Sequence, residues 1–575
     1  MQLTFHNLNQ LWSYVLTETL KRLGLNCAVI CPGSRSTPLT FAFVQQTPDI
    51  EAISILDERS AAFFALGQAK ATGKPVVLVC TSGTAGANFY PAVIEAKESR
   101  IPLLILTTDR PAELRECHSG QTIDQVKLYS NYPNWQTELA IPVAEMEMLN
   151  YLRQTVIYAW ERCQFPNGGT VHLNIPFRDP LAPIPDGIDF TLDVENFFSG
   201  IVSTPLPTTN YQLPITHHQK GIIIAGVAQT KQPQEYCRAI AQLSQSLQWP
   251  VLAEGLSPLR NYADLNPYLI STYDIILRNQ QLAEELAPEM VIQVGEMPTS
   301  KELRNWLIAT KPQRWIIDSC DQNLDPLHGK TTHLRTSIEY LKTENWKPGN
   351  RDLEYLQKWC NLEVNIRKNI DDNFQNMEEL IESKAAWLIS QNLPPKTPLF
   401  IANSMPVRDV EFFWKPNKLK IKPYFNRGAN GIDGTLSTAL GVAHHQKSSV
   451  MLTGDLSLLH DTNGFLIRNK FIGHLTIILI NNNGGGIFEM LPVAKFDPPF
   501  EEFFATPQDI DFAQLCSTYG VQHEFIRSWD DLQERLNPLP NTGIRILEIK
   551  TNRKRDAMWR KENLVQFGVG IGGYT

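Results

Sequence analysis

The chain has 575 residues, too many for one hydrophobic core, and three domains of about 190 residues are the natural expectation. Apolar residues make up 43% and charged residues 19%, a globular composition with no run approaching the ~18 apolar residues of a membrane span. The net charge of −8 excludes a nucleic-acid footprint and requires any anion site to be a local cluster of basic side chains.

The N-terminal third alternates apolar strands with helices. Cys27-Ala28-Val29-Ile30-Cys31, Val76-Val77-Leu78-Val79-Cys80 and Ile101-Pro102-Leu103-Leu104-Ile105-Leu106 predict buried strands. Ala52-Ile53-Ser54-Ile55-Leu56 is strand-like and leads into a helix over Glu58–Ala71, with an acidic first turn and Gly73 just past its end. A proline-rich stretch, Pro180-Leu181-Ala182-Pro183-Ile184-Pro185, continues in loop composition through Ser203-Thr204-Pro205-Leu206-Pro207 and is expected to be a linker. A second α/β unit begins at Gly221-Ile222-Ile223-Ile224-Ala225-Gly226 and includes Met290-Val291-Ile292-Gln293-Val294-Gly295. It carries no Gly-x-Gly-x-x-Gly opening a helix, which counts against a flavin or nicotinamide site. A charged helical stretch from Asp352 to Gln391 leads into a third unit with Pro398–Asn403 and Ile546–Ile549 as strands. The expected class is α/β with three doubly wound parallel-sheet domains, at residues 1–185, 205–350 and 375–575.

Two further strands of the third unit end in turns rich in oxygen ligands. Val450-Met451-Leu452-Thr453 runs into Gly454-Asp455-Leu456-Ser457, and Leu475–Ile480 runs into Asn481-Asn482-Asn483-Gly484-Gly485-Gly486, with 24 residues between Leu456 and Asn481. Parallel strands open their carboxyl ends on one edge of a sheet, where ligands bind. Asp455, Asn482 and a backbone carbonyl near Gly484 can meet there around a hard cation such as Mg²⁺, whose remaining positions take phosphate or water. The glycines allow a diphosphate close to the backbone. The plainer alternative is an N-capping Asp followed by a surface Asn-Gly turn.

Nine cysteines, without a Cys-x-x-Cys, argue for reduced thiols in a cytoplasmic setting. Cys27 and Cys31 are expected to be packing residues. Met1-Gln2-Leu3-Thr4-Phe5-His6 lacks the basic and apolar regions of a signal peptide. His444-His445 are expected on a helix, where neighbours do not face each other, and His217-His218 in the linker. No spacing matches a zinc site. The tail Gly568-Val569-Gly570-Ile571-Gly572-Gly573 has a dinucleotide-loop pattern in the wrong context and is read as a flexible or tucked end.

Taken together, the Gly-Asp and Asn-Asn pair resembles the diphosphate motif of thiamin-diphosphate-dependent enzymes. Further stretches narrow the resemblance: Cys31-Pro32-Gly33-Ser34-Arg35-Ser36-Thr37-Pro38-Leu39, Leu56–Ser60, Thr81–Asn88, Asp109-Arg110-Pro111-Ala112-Glu113-Leu114, Gly120-Gln121-Thr122, Asn403-Ser404-Met405-Pro406-Val407-Arg408, and Asn426–Gly434. They resemble the 2-succinyl-5-enolpyruvyl-6-hydroxy-3-cyclohexene-1-carboxylate synthases of menaquinone and phylloquinone biosynthesis, over nearly the whole chain and most closely in its outer thirds. The resemblance implies the thiamin-diphosphate-binding fold, with an N-terminal pyrimidine-binding domain, a central α/β domain and a C-terminal domain binding diphosphate and metal. The implied reaction decarboxylates 2-oxoglutarate and adds the resulting carbanion 1,4 to isochorismate. The cofactors would be thiamin diphosphate and Mg²⁺, with Mn²⁺ an alternative ion. The assembly would be a homo-oligomer, a dimer or dimer of dimers, with the N-terminal domain of one copy facing the C-terminal domain of another.

The resemblance also assigns roles. Glu58 matches the cofactor-activating carboxyl group, which hydrogen-bonds the aminopyrimidine; alone it reads as a helix-dipole residue, and the downstream diphosphate motif reverses that reading. Gly454, Asp455, Leu456, Ser457, Asn482, Gly484 and Gly485 would surround the diphosphate, with Asp455, Asn482 and the Gly484 carbonyl on the metal. Ile432 would wedge beneath the cofactor, although Ile432 alone reads as a core residue. Arg35, Arg110, Arg408 and Arg427 would bind substrate carboxylates through guanidinium forks, with Ser34, Gln121 and Ser404 as neutral partners. Lys301 would reach the isochorismate side. Glu302, where some relatives carry Arg, would repel an anion. Later proton transfers are open among the cofactor's amino group, Glu58, Gln121 and water. Another thiamin-diphosphate 2-oxoacid decarboxylase or carboligase, of the acetolactate synthase kind, is the alternative; a pyruvate pocket would need fewer arginines. A non-catalytic paralogue would be expected to lack Glu58 or a metal ligand, and all are present.

Overall fold

A computed structural model describes residues 2–201, 211–212, 218–342 and 352–569. Ser203–Pro207, His217 and Gly570–Gly573 lie outside the described residues; Gly568 and Val569 close the last helix, Arg553–Val569.

Three six-stranded sheets, all parallel, carry the fold. Their inner strands include the apolar runs expected from the sequence, such as Val76–Cys80, Gly221–Ala225 and Met290–Val294, buried on both faces, while edge strands such as Trp135–Glu138 and Gln522–Phe525 are only partly buried. The chain divides into two compact units: Met1–Pro207 with Asn426–His445 and His460–Ile472, and Thr208–Phe425 with Gln446–Leu459 and Gly473–Thr575.

In the first unit the strand order is Glu51–Ser54, Cys27–Ile30, Val76–Cys80, Leu103–Asp109, Thr170–Pro176, Trp135–Glu138. Cys27, Cys31 and Cys80 are packing residues, and burial pushes their thiols up; Cys117 is exposed. The predicted helix spans Glu58–Thr72. Asp57 caps it by accepting from the Ser60 N–H at 3.1 Å. Gly73 stops it in the left-handed conformation at φ 67°, donating to the Ala69 carbonyl. The helix is buried on every side over Ser60–Ala69 because a second helix, Thr435–Ala443, lies against it. Glycines permit that approach. A Cβ on Gly67 would lie 2.2 Å from the Thr438 carbonyl oxygen, and one on Gly441 2.1 Å from that of Phe64. Gln68 Nε2 donates to the Gly441 carbonyl at 2.5 Å.

In the second unit the central sheet runs Leu269–Ile270, Val251–Ala253, Gly221–Ala225, Met290–Val294, Gln313–Ile317, Thr331–Leu334. The third sheet runs Lys422–Tyr424, Pro398–Ile401, Gln446–Gly454, Gly473–Asn481, Gly543–Lys550, Gln522–Phe525. The stretch Asp352–Gln391 forms two helices, Leu353–Gln375 and Glu382–Asn392. Along the first, Trp359, Leu362, Ile366, Ile370 and Phe374 make one buried stripe at helical spacing. They join side chains of both sheets in one core with Leu399, Val450 and Ile478.

Candidate active site

Asp455 and Asn482 follow the ends of adjacent strands, Gln446–Gly454 and Gly473–Asn481, which run in register with Gly454 opposite Ile480. The 24-residue gap between the two turns holds the crossover between neighbouring parallel strands and most of the second strand, Gly473–Asn481. Asp455 is buried, and its carboxylate ties the turns together. Oδ1 accepts from the Leu456 N–H at 2.7 Å and Oδ2 from the Gly484 N–H at 2.9 Å. Burial nevertheless raises its pKa from 3.8 to about 6, against the pull of those two N–H groups. Asn482 Nδ2 donates to Glu382 Oε1 at 2.5 Å, while Asn482 Oδ1 is buried without a partner. An unmade hydrogen bond at a buried carbonyl costs about 1–3 kcal/mol. A buried carboxylate and a buried, unpartnered amide oxygen on turns that follow adjacent strands are the donor set of a hard cation, so the residues present fit Mg²⁺ or Mn²⁺.

The glycines of the two turns divide their work. A Cβ on Gly454 would meet nothing within 4 Å, which leaves the cradle above it open to a phosphate. Gly484 and Gly485 are demanded by the chain itself. At φ 143°, a Cβ on Gly484 would lie 2.5 Å from the Ala505 carbonyl oxygen, and one on Gly485 2.7 Å from the Phe488 ring. The Gly484 carbonyl accepts from the Gly486 N–H at 2.9 Å and keeps a second lone pair. Ser457 is buried beside Asp455, and Leu456 is partly so.

Ser404 and Arg408 belong to the same unit. Ser404 precedes the helix Met405–Phe413 at φ 72°, a strained conformation for a residue with a side chain. Arg408 Nη1 donates to its carbonyl at 2.6 Å. Lys301 is exposed at the head of the helix Lys301–Thr310, which Ser300 caps. The Glu302 carboxylate lies 3.9 Å from the Arg278 guanidinium, so its charge is answered locally.

The first unit gathers the remaining candidates. Glu58 opens its helix half-buried, and its charge bears on the Cys31 and Cys80 thiols at the ends of two neighbouring strands. Arg35 is buried; Nη1 donates to the Phe177 carbonyl at 2.9 Å and its backbone N–H to Thr81 Oγ1 at 3.3 Å. Its Nε has no partner. Burial lowers its pKa first, and the neighbouring Arg110 charge lowers it further against Asp179. Arg110 Nη1 bonds Ser82 Oγ and donates to the Gln121 carbonyl at 2.9 Å. Gln121 Nε2 donates to the Ser82 carbonyl at 3.0 Å, and Gln121 is held at φ 56°. Ser34 is exposed in the turn that carries Arg35. Arg427 and Ile432 lie half-buried on the loop before the helix Thr435–Ala443. The Ile432 carbonyl accepts from Thr435 Oγ1 at 3.2 Å.

Sequence reasoning missed three residues. Thr81 and Ser82 stand in a stretch already singled out, and their hydroxyls position Arg35 and Arg110. Glu382 carries no local signal. The histidine pair needs correction. The helix ends at Ala443, His445 turns to φ 64°, and both rings face Glu51. His444 Nε2 lies 3.1 Å from Oε1, and His445 Nε2 lies 2.8 Å from Oε2. The three groups could in principle hold a metal. However, His444 Nδ1 accepts from the Ile472 N–H at 3.2 Å, which puts the ring proton on Nε2 and makes it a donor to Glu51. Those bonds hold the Glu51 pKa down.

Comparison with known proteins identifies the domains and the family. Residues 12–128 match the N-terminal TPP binding domain of thiamine pyrophosphate enzymes, residues 202–401 their middle domain, and residues 415–547 their C-terminal TPP binding domain. A 2-succinyl-5-enolpyruvyl-6-hydroxy-3-cyclohexene-1-carboxylate synthase of Trichormus variabilis is 72% identical, covering 99% of this chain and 99% of that protein. The protein of that name from Gloeothece citriformis is 65% identical over 99% of this chain and 100% of its own length. Benzoylformate decarboxylase of Polynucleobacter necessarius shares the fold, with a TM-score of 0.67 at 15% identity over 94% of this chain and 98% of that chain. The chain belongs to the 2-succinyl-5-enolpyruvyl-6-hydroxy-3-cyclohexene-1-carboxylate synthase family of thiamin-diphosphate-dependent enzymes.

Proposed function

We propose that this chain decarboxylates 2-oxoglutarate and adds the remaining four-carbon unit 1,4 to isochorismate, releasing carbon dioxide. The observation that carries the reading is end-to-end likeness, 72% identity over 99% of the chain, to a protein bearing that synthase name. Thiamin diphosphate, when bound, supplies the nucleophilic carbon and the electron sink. Asp455, Asn482 Oδ1 and the Gly484 carbonyl hold Mg²⁺, or Mn²⁺ in its place. Gly454, Leu456, Ser457 and Gly485 would line the diphosphate, and Ile432 would support the cofactor. Glu58 would hydrogen-bond the pyrimidine ring and hold a proton at its carboxyl group for that contact.

Arg35, Arg110, Arg408 and Arg427 take up the substrate carboxylates, a need that several dicarboxylate groups create and a pyruvate pocket lacks. Ser34, Gln121 and Ser404 supply neutral hydrogen bonds, and the later proton transfers fall to Glu58, Gln121, water or the cofactor's amino group. Lys301 serves isochorismate. Among the described residues no helix is long and apolar enough to cross a membrane. The family resemblance supports a cytoplasmic homo-oligomer, a dimer or dimer of dimers.

The test is carbon dioxide release from 2-oxoglutarate and from pyruvate, each with and without isochorismate. Release from 2-oxoglutarate with consumption of isochorismate is the expected result. Preference for pyruvate would overturn the proposal.

A further inference from the structure

We infer that Glu382 is a positioning residue that sets the orientation of the Asn482 side-chain amide, and so decides that oxygen rather than nitrogen faces the cation. The inference rests on the proposed metal role of Asn482. An amide presents an acceptor on one side and a donor on the other, and only the acceptor can ligate a cation. A carboxylate accepts and never donates when ionised. Glu382 Oε1 therefore takes Asn482 Nδ2, at 2.5 Å, and turns Oδ1 the other way. Oδ1 is left buried with no partner, in a side chain only 8% exposed. Gly486 leaves room for this arrangement, since a Cβ there would lie 2.7 Å from Asn482 Nδ2.

Glu382 is itself held. Arg560 Nη2 donates to its Oε2 at 2.5 Å, and its backbone N–H donates to Asp556 Oδ1 at 3.3 Å. Thr551 Oγ1 lies 3.4 Å from Oε1. The same guanidinium grips Asp409 with Nε at 2.8 Å and Nη2 at 2.7 Å. Asp409 stands next to Arg408 on the helix Met405–Phe413. One buried arginine thus braces both the amide of the metal turn and the helix that carries a substrate arginine. A chain of fixed hydrogen bonds behind a ligand is the usual way a protein orients it.

Mn²⁺ binding to the full chain, with thiamin diphosphate at a fixed saturating concentration and read by paramagnetic resonance of the free ion, tests the inference without turnover. Glu382→Gln should bind Mn²⁺ about 10–100-fold more weakly, the range for lost support behind a metal ligand. The pair Glu382→Gln with Asn482→Asp reverses the hydrogen bond. The glutamine amide donates, the aspartate accepts with one oxygen, and the other oxygen returns to the cation. Mn²⁺ affinity should then recover about tenfold over Glu382→Gln and exceed that of Asn482→Asp alone, which adds the same charge at the cation but sets two carboxylates against each other.

Binding by Glu382→Gln within threefold of the unaltered chain would overturn the inference, as would a double variant no tighter than the single one. If the unaltered chain itself fails to bind Mn²⁺ with the cofactor, the metal reading falls, and the inference falls with it. Should the variants not fold, a crystal of the unaltered chain with thiamin diphosphate and Mn²⁺ decides. Oδ1 on the ion with Nδ2 on Glu382 supports the inference; an Asn482 amide turned away from Glu382 refutes it.

Discussion

Replacing Gly67 by alanine tests whether close backbone contact between two helices holds the Glu58 helix in place. The added Cβ would sit 2.2 Å from the Thr438 carbonyl oxygen and 2.9 Å from Gly441 Cα. Ordinary contact begins at 3.4 Å, so the first approach is 1.2 Å too short. The obstruction is main chain, which no rotamer change relieves. Alanine favours the helix over glycine by about 1 kcal/mol. Overpacking costs about 1–3 kcal/mol, and a clash with rigid backbone belongs at or above the top of that range. The net loss is about 2 kcal/mol, which lowers Tm by about 4–8 °C in a unit of this size. The assay is calorimetry of the full chain, paired with the KM for thiamin diphosphate, because Glu58 is the first residue of the displaced helix. The matched control is Gly120→Ala, where a Cβ meets nothing within 4 Å and Tm should hold or rise slightly. A Gly67→Ala chain that melts at or above the parent would refute the reasoning.

Glu58→Gln should abolish turnover while leaving Tm within a degree or two, checked by carbon dioxide release and calorimetry. Arg408→Gln should raise the KM for 2-oxoglutarate about tenfold or more, the value of one charge-assisted hydrogen bond, in steady-state assays. Asp461 is buried, and burial raises its pKa from 3.8 to about 6 in spite of its bonds from the Ser437 N–H and hydroxyl. Because the folded chain holds this proton more tightly than the unfolded one, stability should fall as pH rises from about 4 to about 6 and then level off. Asp461→Asn should flatten that slope and melt higher than the parent at pH 7.5, as denaturant titrations across pH would show.

Local chemistry explains which features were legible in sequence. The helix over Glu58–Thr72 is readable from its acidic first turn and Gly73, and the turns after Gly454 and Asn481 from two β-branched runs a fixed distance apart, because each signal lies within a few dozen residues. What the sequence hid is long-range. Nothing local to Thr435–Ala443 announces that it packs on a helix some 370 residues earlier, since glycines at 67 and 441 are legible only as a pair. His444 and His445 were misplaced on a helix that stops one residue before them. Glu382, Ser383 and Lys384 lie in a stretch that reads only as charged and helical, yet all three are buried. Arg560, the partner of Glu382, comes 178 positions after it, beyond the reach of any periodicity.

The distribution of thiols has a practical consequence for anyone handling the protein. Seven cysteines are buried and Cys360 is partly so, its thiol pushed up to about 11, while Cys117 stands in solvent. A maleimide dye should therefore attach at one address without mutagenesis. That address lies on the segment between Arg110 and Gln121, two residues proposed to bind substrate, so a fluorophore there should change its emission when substrate is added.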